Sequence, residues 1–574
     1  MDMQIINSDS YIDINQHFKV SAGPGAGKTK FLINHIKNVL RNSERLGRNR
    51  KIACITYTNV GVETILQRLG DETDHVEVST IHSFLYTHIV KPYMFLISDK
   101  YGIDPTNIDS PCEHIVSNGY LSRTDLATRF FVREKDMKNV YWEVSDETCK
   151  LHLRHRDRDK GYHKSLLKYK KFFWEKGIIH YEDILAFSWE ILKSFEEVLR
   201  IIRSKFPYFF IDEFQDTNPI QTNIIKLIAQ NETIIGVIGD KAQSIYEFQG
   251  ADVKQFNDFS LPNISLYRME DNYRSTENII SILNNIRKDI EQKNPLNKKG
   301  NSPVIIVGEA LQALKTVQEI LGEQSFTSLS YSNLTANAIR NNKPIEEGDR
   351  WKVIEEDFDD SDSKRRKIFI SLIKAIELAR LSHYKESLRE LSRHVKKTDN
   401  FNGEKTALIV IKTLLNDYYE FNSKPLWFLY DKIVSMGYFQ FPKIRESKNA
   451  KVPSKAEKYY KETLYSDIAL YVKIAEDVSL HCTIHKAKGS EFDNVLLIVK
   501  GRDGKKYIEE RDLGFLLDPD IDENEEHRVY YVACSRAREN LFINVPEITE
   551  ETKNKLQDMF DFKYVSDRSL VTIT

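Results

Sequence analysis

The stretch Ala22-Gly23-Pro24-Gly25-Ala26-Gly27-Lys28-Thr29 follows an apolar lead-in, Phe18-Lys19-Val20, and precedes a helical pattern, Phe31-Leu32-Ile33-Asn34-His35-Ile36. Strand, glycine-rich loop, lysine-threonine and helix in that order form a phosphate-binding loop. Glycines let successive backbone N–H groups curl around phosphate oxygens. The helix N-terminus adds partial positive charge. Lys28 would neutralise the phosphates, and the Thr29 hydroxyl would hold Mg²⁺. Ala22, Gly23, Gly25, Ala26, Gly27, Lys28 and Thr29 are therefore the expected nucleotide contacts.

A loop of this kind needs acidic partners for a metal and a water, and they follow. Pro207-Tyr208-Phe209-Phe210-Ile211 is a continuous apolar run, the pattern of a strand buried on both faces. It ends in Asp212-Glu213-Phe214-Gln215-Asp216. Carboxylates at the C-terminal end of a buried strand sit where α/β sheets bind ligands. Asp212 is expected to bind Mg²⁺, and Glu213 to polarise the attacking water.

Further blocks recur in order along the chain. They are Ile55-Thr56-Tyr57-Thr58-Asn59, Thr80-Ile81-His82-Ser83-Phe84, Gly239-Asp240-Lys241-Ala242-Gln243-Ser244-Ile245-Tyr246-Glu247-Phe248-Gln249-Gly250 and Asp271-Asn272-Tyr273-Arg274-Ser275-Thr276. Thr483-Ile484-His485-Lys486-Ala487-Lys488-Gly489-Ser490-Glu491 and Tyr530-Tyr531-Val532-Ala533-Cys534-Ser535-Arg536-Ala537-Arg538 complete the set. Together with the glycine loop and the acidic pair, this series resembles the motifs of superfamily 1 DNA helicases of the UvrD/Rep/PcrA type.

The resemblance implies roles position by position. Arg274 and Arg536 match arginines that reach the γ-phosphate from the second motor domain. Gln243 matches a γ-phosphate sensor. Tyr273 matches a residue packing on the nucleotide base, and Glu491 one near the ribose. Gln4 is placed to read adenine, with Gln16 as the competing candidate. Thr58, Asn59, Thr80, His82, Thr483 and His485 match residues that touch a nucleic-acid strand. Tyr246 and Phe248 match rings that stack on bases, which is how single strands are held without sequence reading. The family usually carries arginine where this chain has Gln249, and His527 stands where it often has another.

Composition sets looser bounds. The chain has 574 residues, 41% hydrophobic, with a formal net charge of −2. Near-neutrality does not exclude nucleic acid, because binding follows local charge rather than the sum. Basic clusters occur at Arg154-His155-Arg156 through Lys176, at Lys364-Arg365-Arg366-Lys367, and from Lys443 to Lys458. Any of them can equally be a solvated helix face. The five cysteines, Cys54, Cys112, Cys149, Cys482 and Cys534, show no Cys-x-x-Cys spacing, which argues against a zinc ribbon or iron–sulfur cluster. The start, Met-Asp-Met-Gln, is unlike a signal peptide, and no apolar run approaches the length of a membrane span. A soluble, cytoplasmic protein is expected.

The fold class expected is α/β: two RecA-like, doubly wound parallel-sheet motor domains, each carrying a mainly helical insertion. The boundaries read as 1–84 and 178–262 for the first motor domain, with 85–177 inserted. They read as 263–345 and 475–574 for the second, with a reduced insertion at 346–474. The second α/β pattern is taken to begin near Ile264-Ser265-Leu266-Tyr267.

By resemblance, ATP with Mg²⁺ is hydrolysed between the two sheet domains. Lys28 and Thr29 lie on one side, with Arg274 and Arg536 on the other. Hydrolysis drives 3′ to 5′ movement on single-stranded DNA and at single-strand/duplex junctions. The rival expectation is a DNA- or nucleotide-sensing subunit that regulates a partner nuclease without processive unwinding. It is motivated by the short second insertion and by similarity to compact helicase subunits of Gabija-type anti-phage systems.

Overall fold

The structure is a computed structural model. It describes residues 3–565 apart from 71, 109–110, 113–117, 146–147, 155–160, 345–351, 396–402, 445–452, 475–478 and 502–504. Parts of two basic clusters, including Arg156, Lys160, Arg445, Lys448 and Lys451, lie outside the described residues. The chain divides into two compact units. The first is Met1–Ser275, Arg287–Lys298 and Ile521–Arg528. The second is Thr276–Ile286, Lys299–Asp520 and Val529–Thr574.

The first unit contains β1 (Gln4–Ile5), β2 (Phe18–Ala22), β3 (Ile52–Thr56), β4 (Val76–Thr80), β5 (Val140–Val144), β6 (Cys149–Leu153), β7 (Tyr208–Ile211), β8 (Ile234–Gly239) and β9 (Ser265–Met269). Seven of these form one parallel sheet in the order β1-β9-β2-β8-β7-β3-β4. Strands β3, β7 and β8 are buried along their whole length, as continuous apolar runs require. Alternate residues feed two cores. Ala53, Ile55, Phe209, Ile211, Ile235 and Val237 pack on one face. Cys54, Tyr208, Phe210 and Ile238 pack on the other, with Phe31, Leu32 and Ile36 of the helix Lys28–Asn42.

The second unit holds β10 (Val304–Val307), β11 (Thr327–Ser330), β12 (His481–Thr483), β13 (Phe492–Ile498), β14 (Ala537–Val545) and β15 (Asp561–Tyr564). They make a parallel sheet in the order β12-β11-β13-β14-β10-β15. Two parallel sheets flanked by helices are the expected fold class.

Two features differ from the expected organisation. Ile264–Tyr267 does not open the second sheet: β9 pairs with β2, Ser265 opposite Phe18 and Met269 opposite Ala22. Residues 287–298 and 521–528 likewise cluster with the first unit. The stretch 85–177 is mainly helical, as expected, and also carries the antiparallel hairpin of β5 and β6.

Candidate functional site

The glycine loop leaves β2 at its C-terminal end and runs into the helix Lys28–Asn42. Gly25 (φ 72°) and Gly27 (φ 82°) adopt the left-handed backbone that favours glycine. A Cβ at Gly25 would lie 2.5 Å from Asn272 Oδ1 and 2.8 Å from the Arg274 Cβ, and one at Gly27 would lie 2.8 Å from the Ser8 Cβ. The loop is fixed from behind. Tyr273 N–H donates to the Gly25 carbonyl (3.0 Å), and buried Asn272 accepts from the N–H groups of Arg274 and Ser275. Asn272 also donates to Gln292, whose side chain lies against Gly23. The helix has no side-chain cap and no acidic residue in its first turn. Its leading N–H groups thus match an anion. Lys28 Nζ lies 3.5 and 3.4 Å from the carbonyls of Ala22 and Gly23, beside the loop it follows.

Asp212 and Glu213 follow directly on β7, at the strand end where the sequence placed them. Asp212 is buried, and burial together with neighbouring Glu213 pushes its carboxyl up to about 7, against the pull of Lys28. Glu213 sits at φ 54°, which turns its side chain out of the strand line. From there a chain of hydrogen bonds runs inward. Gln215 Nε2 donates to Glu213 Oε2 (2.5 Å), and Gln215 Oε1 accepts from Asp240 N–H (2.9 Å). Asp240 accepts from Gln243 Nε2 (2.6 Å) and from Arg287 Nη1 (2.7 Å). The Ser244 hydroxyl donates to the Gln215 carbonyl at 3.0 Å. The cradle, Lys28, half-buried Thr29 and Asp212 fit a nucleoside triphosphate with a divalent cation held by Thr29 and Asp212.

The strand ends also carry an aromatic face. Tyr57 stacks on Tyr246 (5.2 Å, 17°), and Tyr246 meets Phe248 at 6.1 Å. Phe248 is 53% exposed, so it is a surface ring rather than a core one. Thr58 and Thr80 cap helices by accepting from Gly61 N–H (3.0 Å) and Ser83 N–H (3.3 Å). Capping uses each oxygen as acceptor and leaves its O–H free to donate to a phosphate. Asn59 is exposed in the first turn after Thr58. Burial pushes the His82 imidazole down to about 4, so it is neutral at pH 7. Its ring meets Tyr181 edge-on at 5.5 Å.

Two comparisons bear on this geometry. The UvrD/REP helicase N-terminal domain matches residues 7–263, and the UvrD-like helicase C-terminal domain matches residues 386–547. The chain belongs to the UvrD-like helicase family. Among curated relatives, the ATP-dependent DNA helicase PcrA of Staphylococcus aureus is 26% identical over 295 residues. That of Staphylococcus epidermidis is 26% identical over 290 residues. Each match covers 48% of this chain and 38% of the relative, so the chain aligns with well under half of either helicase.

Within this UvrD-like chain several assignments shift. Arg274 does not belong to the second unit. Its Cβ lies against Gly25, and Tyr273 and Asn272 tie its segment to the glycine loop. Gln4 is not beside that loop. It pairs with Tyr267 and, with Gln16, Gln230 and Asn231, lines a cleft at the N-terminal ends of the strands. The N-terminal residue against the loop is Ser8, near which Tyr273 donates to Asp271 (2.9 Å).

In the second unit Arg536 donates to Val532 O (3.0 Å), Ser490 O (3.1 Å) and Ser535 Oγ (2.8 Å), while Glu491 pairs with Arg538. Thr483 ends β12, and His485 meets Tyr331 edge-on at 5.9 Å.

The sequence reading gave no role to Gln215, Asp240 or Arg287. Arg528 donates to Ser244 O (2.8 Å) and pairs with Glu247, bracing the turn that carries the aromatic rings. Gln215 and Asp240 stand inside the quoted motif blocks, but only contact could reveal their part and that of Arg287.

Among the described residues no helix is long and apolar enough to cross a membrane.

Proposed function

We propose that the chain is an ATP-dependent DNA helicase that moves 3′ to 5′ along single-stranded DNA and acts at single-strand/duplex junctions. The observation that supports this most is the hydrogen-bonded run from Glu213 through Gln215 to Ser244 and Asp240. Two residues beyond Ser244 stands Tyr246 of the aromatic face. Hydrogen bonds thus link the carboxylate assigned to the hydrolytic water to the segment that leads into the rings assigned to the strand.

Lys28 and the uncapped helix N-terminus bind the phosphates of ATP. Glu213 orients water for attack on the γ-phosphate, accepting its proton as the P–O bond to the leaving nucleotide breaks. Mg²⁺ held by Thr29 and Asp212 would offset phosphate charge. Gln215 holds the Glu213 carboxylate in place, and Gln243, fixed by Asp240, senses whether the γ-phosphate is present. Tyr273 and Glu491 remain candidates for base and ribose contact, and Arg274 and Arg536 for the γ-phosphate. Thr58, Asn59, Thr80, His82, Thr483 and His485 are proposed strand ligands, with Tyr246 and Phe248 as stacking rings.

The deciding experiment is steady-state ATP hydrolysis with and without single-stranded DNA, beside Lys28→Ala. Strong stimulation by the strand, abolished in Lys28→Ala, is expected. Hydrolysis indifferent to DNA would favour a regulatory subunit acting on a partner nuclease.

A further inference from the structure

Gln249 is exposed, yet it is held at both ends. Tyr57 Oη donates to its side-chain Oε1 at 2.9 Å. Arg154, arriving from the end of hairpin strand β6, donates from Nη2 to its backbone carbonyl at 3.0 Å. Arg154 is itself held, with its guanidinium 4.9 Å from the centre of the Tyr141 ring. It fills the space over Gly250, where a Cβ would lie 2.1 Å from Nη2. Gly250 takes φ 98° to make the turn. Tyr57 is fixed in turn by its stack on Tyr246.

The amide oxygen accepts from the Tyr57 hydroxyl, which leaves the N–H₂ group to donate elsewhere. Gln249 follows the exposed Phe248 directly in the chain. A long polar side chain on a surface is ordinarily free to rotate. Here the fold has removed that freedom before any ligand arrives, which favours binding.

We propose that Gln249 reads the base stacked on Phe248 by donating from Nε2 to a carbonyl oxygen on the base edge. The inference rests on the single-strand reading above. Thymine, guanine and cytosine carry such an oxygen, and adenine does not. Stacking alone accepts every base, because each has a π-face. A fixed neutral donor beside the stack adds a preference that a phosphate-seeking cation at this position would not.

The test is equilibrium binding of the full chain to oligo(dT) and oligo(dA) of equal length, by fluorescence anisotropy. Gln249→Ala is expected to weaken oligo(dT) by about 3- to 10-fold, the value of one neutral hydrogen bond, and oligo(dA) by less than about 2-fold. Gln249→Glu, which keeps the shape and removes the donor, should also lose the preference. Tyr57→Phe keeps the stack but frees the amide, and should narrow the dT-to-dA ratio toward one. Phe248→Ala should weaken both oligonucleotides alike. Equal losses on dT and dA in Gln249→Ala would overturn the proposal while leaving the single-strand reading intact. Failure of the unaltered chain to bind either oligonucleotide would overturn both.

Discussion

The insertion between β4 and β7 continues the apolar core of the motor sheet that carries it, whereas the insertion between β11 and β12 closes a core of its own. In the first case Tyr101, Trp142, Trp174 and Phe187 pack in one cluster with Phe209, Ile211 and Val237 of the sheet. Asp183 joins the parts. Its carboxylate accepts from Trp142 Nε1 (2.8 Å), Lys170 Nζ (2.5 Å), Trp174 Nε1 (3.0 Å) and His180 N–H (3.1 Å). In the second case the cluster runs from Ile354 to Ile474 without a residue of the second sheet. Its polar centres are internal: Asp360 with Arg365 and Tyr460, and Glu377 with Arg380 and Tyr465. Elements that share a core unfold together, and elements with separate cores open separately. The first insertion is therefore a structural part of the nucleotide-binding unit, and the second is an appended module.

Asp183→Ala should break this contrast most severely. It strands the Lys170 charge, of which 5% is exposed, inside the shared core, and removal of one partner of a buried pair costs about 3–5 kcal/mol. Denaturant unfolding should show the insertion and the motor sheet losing stability in one transition, and ATP turnover should fall with them. Leu372→Ala, in the second insertion's own core, should cost about 3 kcal/mol. There the loss should stay local. Limited proteolysis should cut within 354–474 faster, while the first unit's unfolding midpoint holds.

One buried group in each region should respond to acid with opposite sign. His35 lies in the first unit's core among Phe18, Phe31 and Phe210, with neither ring nitrogen hydrogen-bonded. Burial pushes its pKa from 6.5 to about 4. Below about pH 6.5 the unfolded chain binds a proton that the folded one refuses. Taken alone, this group should remove about 2 kcal/mol from the first unit between about pH 7 and 5, read as the difference between the pH profiles of the unaltered chain and His35→Phe. Glu377 behaves oppositely. Burial raises its carboxyl above 4.5, so its contribution is complete below that value and is lost as pH rises through the raised pKa. Glu377→Gln should remove that dependence from the second insertion alone, read by proteolysis across pH. The smallest effect is expected from Trp142→Phe. It deletes one of the donors to Asp183 and should cost about 1 kcal/mol, visible as a shift in the first unit's denaturation midpoint.

Much of the site was legible because its chemistry is local in sequence. A phosphate cradle needs closely spaced glycines ahead of a helix, so Gly23 through Thr29 announce themselves. Carboxylates at a strand end, Asp212 and Glu213, follow from a single apolar run. The rings Tyr246 and Phe248 stand within one quoted motif block, and Phe248 is exposed. What the sequence could not show was partnership. The run Ile264–Tyr267 has the pattern of a buried strand whichever sheet receives it, and only its register beside Phe18–Ala22 placed β9 in the first.

The sequence by itself determined the phosphate loop, the acidic pair and the α/β class, because each rests on residues adjacent in the chain or on a period of two or 3.6. The tertiary structure alone decided that Arg274 rides with the glycine loop, that Ser8 rather than Gln4 touches it, and that Arg154 and Tyr57 grip Gln249 from opposite sides. Those facts depend on contacts between residues separated by 19 positions, for Ser8 and Gly27, up to 192 for Tyr57 and Gln249 and more for Gly25 and Arg274, and a side chain carries no mark of its neighbour in space until packing brings the two together.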